Sequence, residues 1–180
     1  YLLVLSQDLG YLKDDIIQPL RSETDEIAAM LYTLRTKIEQ GLQPQCVVSC
    51  IGRIRLAGFI SPPGKSDPKN PIDFLVKEKK VAVPLYPQAG TEPNVYYIPP
   101  IHANRDYVRQ MFGPGADAAV ATYAKTKDDP TMLGLFMLFG TTENIIRQFE
   151  VKNEIAIGYD DKGTELVRVP VREPSTVREY

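Results

Sequence analysis

The chain has 180 residues, 43% of them hydrophobic and 24% charged, with a formal net charge of -2. That balance is ordinary for a folded globular chain and excludes fibrous and disordered classes. Without a basic run it also excludes nucleic acid as a partner. Two cysteines are too few for a disulfide framework. No apolar stretch approaches the roughly 20 residues of a membrane helix, so no direct membrane span is expected. A chain that opens on Tyr1 rather than Met is expected to have lost a leading segment.

From Leu2 to Leu20 the apolar residues are punctuated by Gly10 and Pro19, which predicts one or two short helical or extended pieces. Ile27, Met30, Leu31, Leu34 and Ile38 then recur at helical spacing. Ser22 or Thr24 suits the cap, Asp25 and Glu26 the first turn, and Gly41 the position past the end. This predicts an amphipathic helix of about four turns that buries one stripe.

Between Cys46 and Pro100 prolines crowd the chain and apolar residues arrive in short runs. Proline fixes φ and removes a donor, so long ladders are excluded and an irregular wrap with short strands is expected. Within it, Asn70-Pro71 followed by Ile72, Leu75, Val76 and Lys79 predicts a capped helix with proline at its first position. Four short helices are predicted over 106–112, 115–125, 131–139 and 142–149, separated by Gly113-Pro114, Asp128-Asp129-Pro130 and Gly140. Residues 150–159 and 164–169 flank Asp160-Asp161-Lys162-Gly163 and predict a β-hairpin. The tail from Arg172 to Tyr180 reads as polar and extended. The fold class is therefore α+β: mixed helices and short strands, a proline-rich irregular wrap and a C-terminal β-hairpin. It is organised as an N-terminal helical segment, 1–41, and a domain over 42–180.

Several long strings then stand out in order. They are Lys37 to Cys46, Cys50-Ile51-Gly52-Arg53-Ile54-Arg55-Leu56-Ala57-Gly58, Asn70 to Val76, Lys80 to Gln88, Glu92 to Pro100, Gln110 to Gly115 and Leu138 to Glu143. Through them the chain from about Lys37 to Glu173 resembles the C-terminal half of iron–sulfur beta subunits of nitrite oxidoreductase-like molybdenum enzymes of the type II DMSO reductase family. The related selenate, chlorate and ethylbenzene-type oxidoreductases share the pattern. The resemblance implies that a C-x2-C pair should precede Cys46 and Cys50 and share clusters with them. Counting back from Cys46 puts that pair at Leu31 and Leu34. Two ligands are thus replaced by leucines expected in a core, and a cluster loop by a helix. A cubane cluster takes four thiolates, so no cofactor is expected here.

Among candidate site residues, Cys46 and Cys50 are residual cluster-type cysteines expected to be unused and buried as small apolar residues. His102 is the sole histidine, which excludes multi-His metal sites and disfavours a Ser-His-Asp relay; a hydrogen-bonded structural or interface role is expected. Asp128-Asp129 and Asp160-Asp161 read as solvated turn chemistry. Glycine spacings fit no phosphate cradle. Arg53, Arg55, Arg105 and Arg109 suit interface salt bridges. Tyr86, Tyr96, Tyr97, Tyr107, Met111 and Phe112 have the composition of a docking face, equally of packed core.

No catalytic residue and no metal site are expected. The reading is a non-catalytic structural or assembly subunit, not an enzyme, that docks to a nitrite oxidoreductase-like complex or to itself and organises a filament or tubule. The interface candidates are Tyr86, Tyr96, Tyr97, His102, Arg105, Arg109, Met111 and Phe112. Two alternatives stay open: an electron-transfer fragment whose partner completes the ligand set, and an assembly chaperone for the catalytic subunit. By resemblance the location is extracytoplasmic or an organelle lumen, periplasm-like or an anammoxosome.

Overall fold

The computed structural model describes residues 2–11, 13–90 and 92–171; the tail from Arg172 lies outside them. The chain divides after Pro44 into two compact units. The first holds helix α1, Leu2–Asp8, and helix α2, Asp14–Glu39. Gly10 turns the chain between them at φ +72°, a left-handed conformation that glycine adopts without a Cβ penalty.

Pro19 does not end a helix; it lies inside α2. As the sixth helical residue it lies past the first turn, so it removes the ladder bond to the Asp15 carbonyl, while its fixed φ remains helical and the helix continues on both sides of it. The stripe of Ile27, Met30, Leu31 and Leu34, expected to be buried, is instead exposed: every residue from Ser22 to Arg35 faces solvent. Leu31 at 60% and Leu34 at 40% exposure are not core residues. Helical periodicity reports which residues share a face, not what covers that face.

The second unit begins with α3, Gln45–Val48, followed by a long irregular segment and α4, Pro71–Asp73. Asn70 caps α4 as expected, its Oδ1 accepting from the N–H groups of Ile72 at 2.9 Å and Asp73 at 3.4 Å. The helix then widens into a π-turn over Phe74–Glu78. Two two-residue strands, β1 (Val83–Pro84) and β2 (Tyr96–Tyr97), pair antiparallel. Their brevity follows from the prolines around them.

Three helices follow: α5, Arg105–Phe112, α6, Ala116–Thr126, and α7, Pro130–Met137. A helix over 142–149 does not form. Residues 141–144 bend, the Asn144 N–H donating to Thr142 Oγ1 at 3.1 Å, and residues 145–147 lead into strand β3, Gln148–Lys152. Thr141 and Thr142 instead hold local turn bonds, the β-branched Ile145 and Ile146 favour non-helical backbone, and Ile145, Ile146 and Phe149 are buried there. Strand β4, Ile155–Tyr159, pairs antiparallel with β3 and with β5, Glu165–Pro170. The expected hairpin over 160–163 is present, but a second turn at Asn153-Glu154 makes the sheet three-stranded. Both turn residues have positive φ, 50° and 59°, the geometry of a two-residue primed turn without its usual glycine.

Helix α7 packs across β3, β4 and β5, closing a core of Phe74, Leu75, Val81, Met132, Leu135, Leu138, Ile146, Phe149 and Ala156. Gly134 permits that approach, since a Cβ there would sit 2.5 Å from Val151 Cγ2. A smaller cluster joins Val108, Phe112, Ala116 and Val120. The molecule is thus α+β, with no dominating sheet.

Candidate docking surface and cysteine loop

Two regions collect the residues singled out from the sequence. The first is the loop after α3. Val47 is buried and anchors α3, while Cys46 is exposed and Cys50 is half-buried, both as free thiols. This corrects the expectation of two buried small residues. In a four-residue helix one inward residue suffices, and Val47 occupies that position, turning Cys46 outward.

Past Cys50 the chain stays on the surface. Ile51 is fully exposed and Ile54 is 71% exposed. Arg53 adopts φ 47°, and its side chain lies against Gly140, where an added Cβ would meet Arg53 Cγ at 3.0 Å. The strings around Arg53 and around Gly140, distant in sequence, therefore meet. Arg55 Nη1 donates to the Cys46 carbonyl at 3.2 Å, so it closes the loop from within. Neither arginine makes an ion pair among the described residues.

The segment beyond is held down by a buried polar post. Asp73, wholly buried, accepts from the Ser61 and Asp67 N–H groups at 3.0 Å each. Lys77 Nζ donates to the Ser61 and Lys65 carbonyls at 2.6 and 2.7 Å and lies 3.4 Å from Asp73 Oδ1. Asn70 Nδ2 donates to the Phe59 carbonyl at 2.8 Å. The Arg147 guanidinium stacks 3.4 Å from the Phe59 ring centre. Where a wrap cannot form a ladder, side chains carry its backbone hydrogen bonds.

The second region is the aromatic surface. Tyr86 N–H donates to the Met111 carbonyl at 2.7 Å, and its hydroxyl lies 3.0 Å from Met111 Sδ. Gln88 Nε2 donates to the Gln110 carbonyl at 2.8 Å. Gly113, at φ +70°, lets Pro87 approach; a Cβ there would meet Pro87 Cγ at 2.8 Å. Tyr107 and Met111, four apart on α5, share a face. Tyr86, Tyr97 and Tyr107 are 45%, 43% and 56% exposed.

Strand alternation separates the two neighbouring tyrosines. Tyr96 turns onto the main core, whereas Tyr97 sits 6.2 Å from the Phe112 ring. Phe112 is buried within the smaller core cluster, so it supports the surface from below and is not itself a contact residue. Arg109 is committed within the chain, to Asp117 at 2.7 Å and Asp106 at 3.2 Å. Arg105 and His102 are exposed. The expected hydrogen bond of His102 is not formed with any described residue.

In each acidic pair one aspartate is structural, Asp129 and Asp160, while Asp128 stays exposed at the turn. Asp129 caps α7 by accepting from the Thr131 N–H at 2.8 Å and pairs with Lys79 at 3.0 Å. Burial raises its pKa, but those two donors outweigh it and hold it below the ordinary carboxylate value. Asp160 accepts from the N–H groups of Thr164 and Lys162 at 2.7 and 2.9 Å and is likewise lowered, by those bonds. Among the described residues no group of three or more His, Cys, Asp or Glu is placed to hold a metal ion. No described helix is long and apolar enough to cross a membrane.

Comparison with curated proteins gives these surfaces a context. The chain is 36% identical over 103 residues to the chlorate reductase subunit beta of Ideonella dechloratans, covering 48% of this chain and 30% of that one. It is 46% identical over 65 residues to the perchlorate reductase subunit beta of Dechloromonas aromatica, 36% of this chain and 18% of that one. It is 34% identical over 100 residues to the respiratory nitrate reductase subunit beta of Haloferax mediterranei, 47% of this chain and 27% of that one. These relatives are beta subunits of reductases. The chain spans less than a third of the length of the relatives it matches. No family model matches it.

Proposed function

We propose that this chain is a non-catalytic structural subunit that docks to a molybdenum oxidoreductase complex of the nitrite oxidoreductase type and promotes its assembly into filaments or tubules. One observation carries the reading: Leu31 and Leu34, the positions where the beta-subunit pattern calls for a C-x2-C pair, lie on the continuous helix α2. A helix holds its backbone donors and acceptors in its own ladder. It cannot curl around a cluster as a ligand loop does. The strings that resemble beta subunits, by contrast, fold into supported surfaces around Tyr86, Tyr97 and Met111, with Tyr107 beside Met111 on α5, and around Arg53.

Exposed tyrosines and a methionine set over a buried Phe112 have the make-up of interface anchors. A subunit that keeps the docking residues and lacks cluster ligands can recognise a beta subunit's neighbours without conducting electrons. An extracytoplasmic or organelle-lumen location belongs to the same proposal.

The exposure of Cys46 and the partial exposure of Cys50 favour one second reading. Two surface thiolates could complete a cluster whose other ligands come from a partner, in an electron-transfer role.

One experiment separates the two: electron microscopy of the purified molybdenum enzyme with and without the chain, with iron and acid-labile sulfide assayed in the same samples. Longer ordered assemblies, with iron unchanged by Cys46→Ser/Cys50→Ser and assembly lost on Tyr97→Ala/Tyr107→Ala, are expected. Unchanged assembly together with iron that disappears in the double serine variant overturns the structural reading.

A further inference from the structure

Helix α2 carries a pattern that neither the docking surface nor the cysteine loop uses. Ile17, Thr24, Leu31 and Ile38 recur every seven residues, and Leu20, Ile27 and Leu34 recur every seven residues three places later. This is the 3.5-residue spacing of a coiled-coil seam, which keeps one stripe facing a partner helix as the two supercoil. The helix has 26 residues, about 39 Å of length.

Ile17 is already buried within the chain, so the open part of the seam starts at Leu20: Leu20, Ile27, Leu31 and Leu34 are 37%, 52%, 60% and 40% exposed. Thr24, the one polar member, satisfies its hydroxyl on the Leu20 carbonyl at 2.7 Å. That bond lies within its own helix, so Thr24 interrupts the apolar seam without calling for a polar partner across it. Ser22, Asp25, Glu26, Thr33 and Thr36 occupy the opposite side, where the ring of Pro19 also lies clear of the seam.

We propose that α2 pairs with α2 of a second copy of this chain. Three observations select that occupant. Among the described residues the next longest helix, α6, has 11 residues, too short to match the seam. Two such stripes face to face cover roughly 1,000 Å², the size at which a specific interface begins. In a parallel, in-register pair the flanking positions bring Glu23 against the partner's Ala28 and Met30 against the partner's Arg35, so no like charges oppose. Arg35 is also neutralised by its own Glu39 at 2.7 Å. The pairing stands on α2 alone and does not depend on docking to a molybdenum enzyme.

Sedimentation equilibrium of the full chain in reducing buffer, from about 1 to 100 μM, tests it. The expected mass is twice the 20.2 kDa of one chain. Ile27→Glu/Leu31→Glu is expected to give the mass of one chain across the range, and Thr33→Lys on the outer face to leave the dimer intact. Thr24→Val, which completes the apolar seam without threatening the helix, is expected to lower the dimer dissociation constant several-fold. A wild-type chain at single mass throughout, as a seam reserved for a foreign helix would give, overturns the proposal. So does a glutamate variant of unchanged mass, or a Thr24→Val variant that binds no more tightly.

Discussion

The Asp73 carboxylate concentrates more structural work than any residue the motifs pointed to. Burial pushes its pKa up, yet donors from Ser61 and Asp67 and the nearby Lys77 ammonium outweigh burial and hold it below the usual carboxylate range. A group lowered on folding contributes stability that is present above its unfolded value, about 3.9, and is lost as pH falls towards the folded value. Urea unfolding at pH 7 and at pH 3 should therefore show a loss on acidification that Asp73→Asn reduces, the remainder coming from other carboxylates held low, such as Asp129 and Asp160. Asp73→Ala should cost about 3 kcal/mol at pH 7, because it strands two N–H groups and removes the carboxylate beside Lys77, which keeps its carbonyl partners. Nothing in the local sequence marks this aspartate above Asp67 or Asp129. Its role comes from the loop that folds back over it.

Among the elements, α7 and the sheet show how one side-chain absence sets a packing distance. Gly134 sits where a Cβ would meet Val151 Cγ2 at 2.5 Å and Ala156 Cβ at 3.3 Å. Gly134→Ala should destabilise by about 2 kcal/mol despite the better helix propensity of alanine. Val151→Ala in that background should restore part of the loss, a coupling that a double-mutant cycle in urea would measure. If the two costs simply add, helix and strand are not in the contact described. The same element pair explains a failed expectation. Residues 142–149 have helical spacing, but Ile146 and Phe149 gain more by filling the space under α7 in an extended segment.

For the whole molecule, the chain divides after Pro44 into two compact units, whose melting can be followed under different conditions. If α2 pairs between copies, its melting should depend on protein concentration, whereas the second unit's should not. Circular dichroism of the helical signal at about 2 and 100 μM should show a higher midpoint at the higher concentration, with the shift abolished in Ile27→Glu/Leu31→Glu. An Asp73→Ala chain should keep that shift while its second unit melts earlier.

Sequence periodicity and punctuation determined the local elements: the Asn70 cap with Pro71, helices α5 to α7, the turn at 160–163 and the α+β class. These are governed by interactions within a few residues, so the order of residues suffices. The resemblance to beta subunits was also legible, because long strings survive as strings. Tertiary structure alone decided burial and company. The stripe on α2 is exposed, Cys46 points outward, Phe112 lies beneath the tyrosines instead of among them, and Asp73 becomes a buried post. Each depends on which distant segment arrives, and a side chain's own neighbours in sequence carry no record of that arrival.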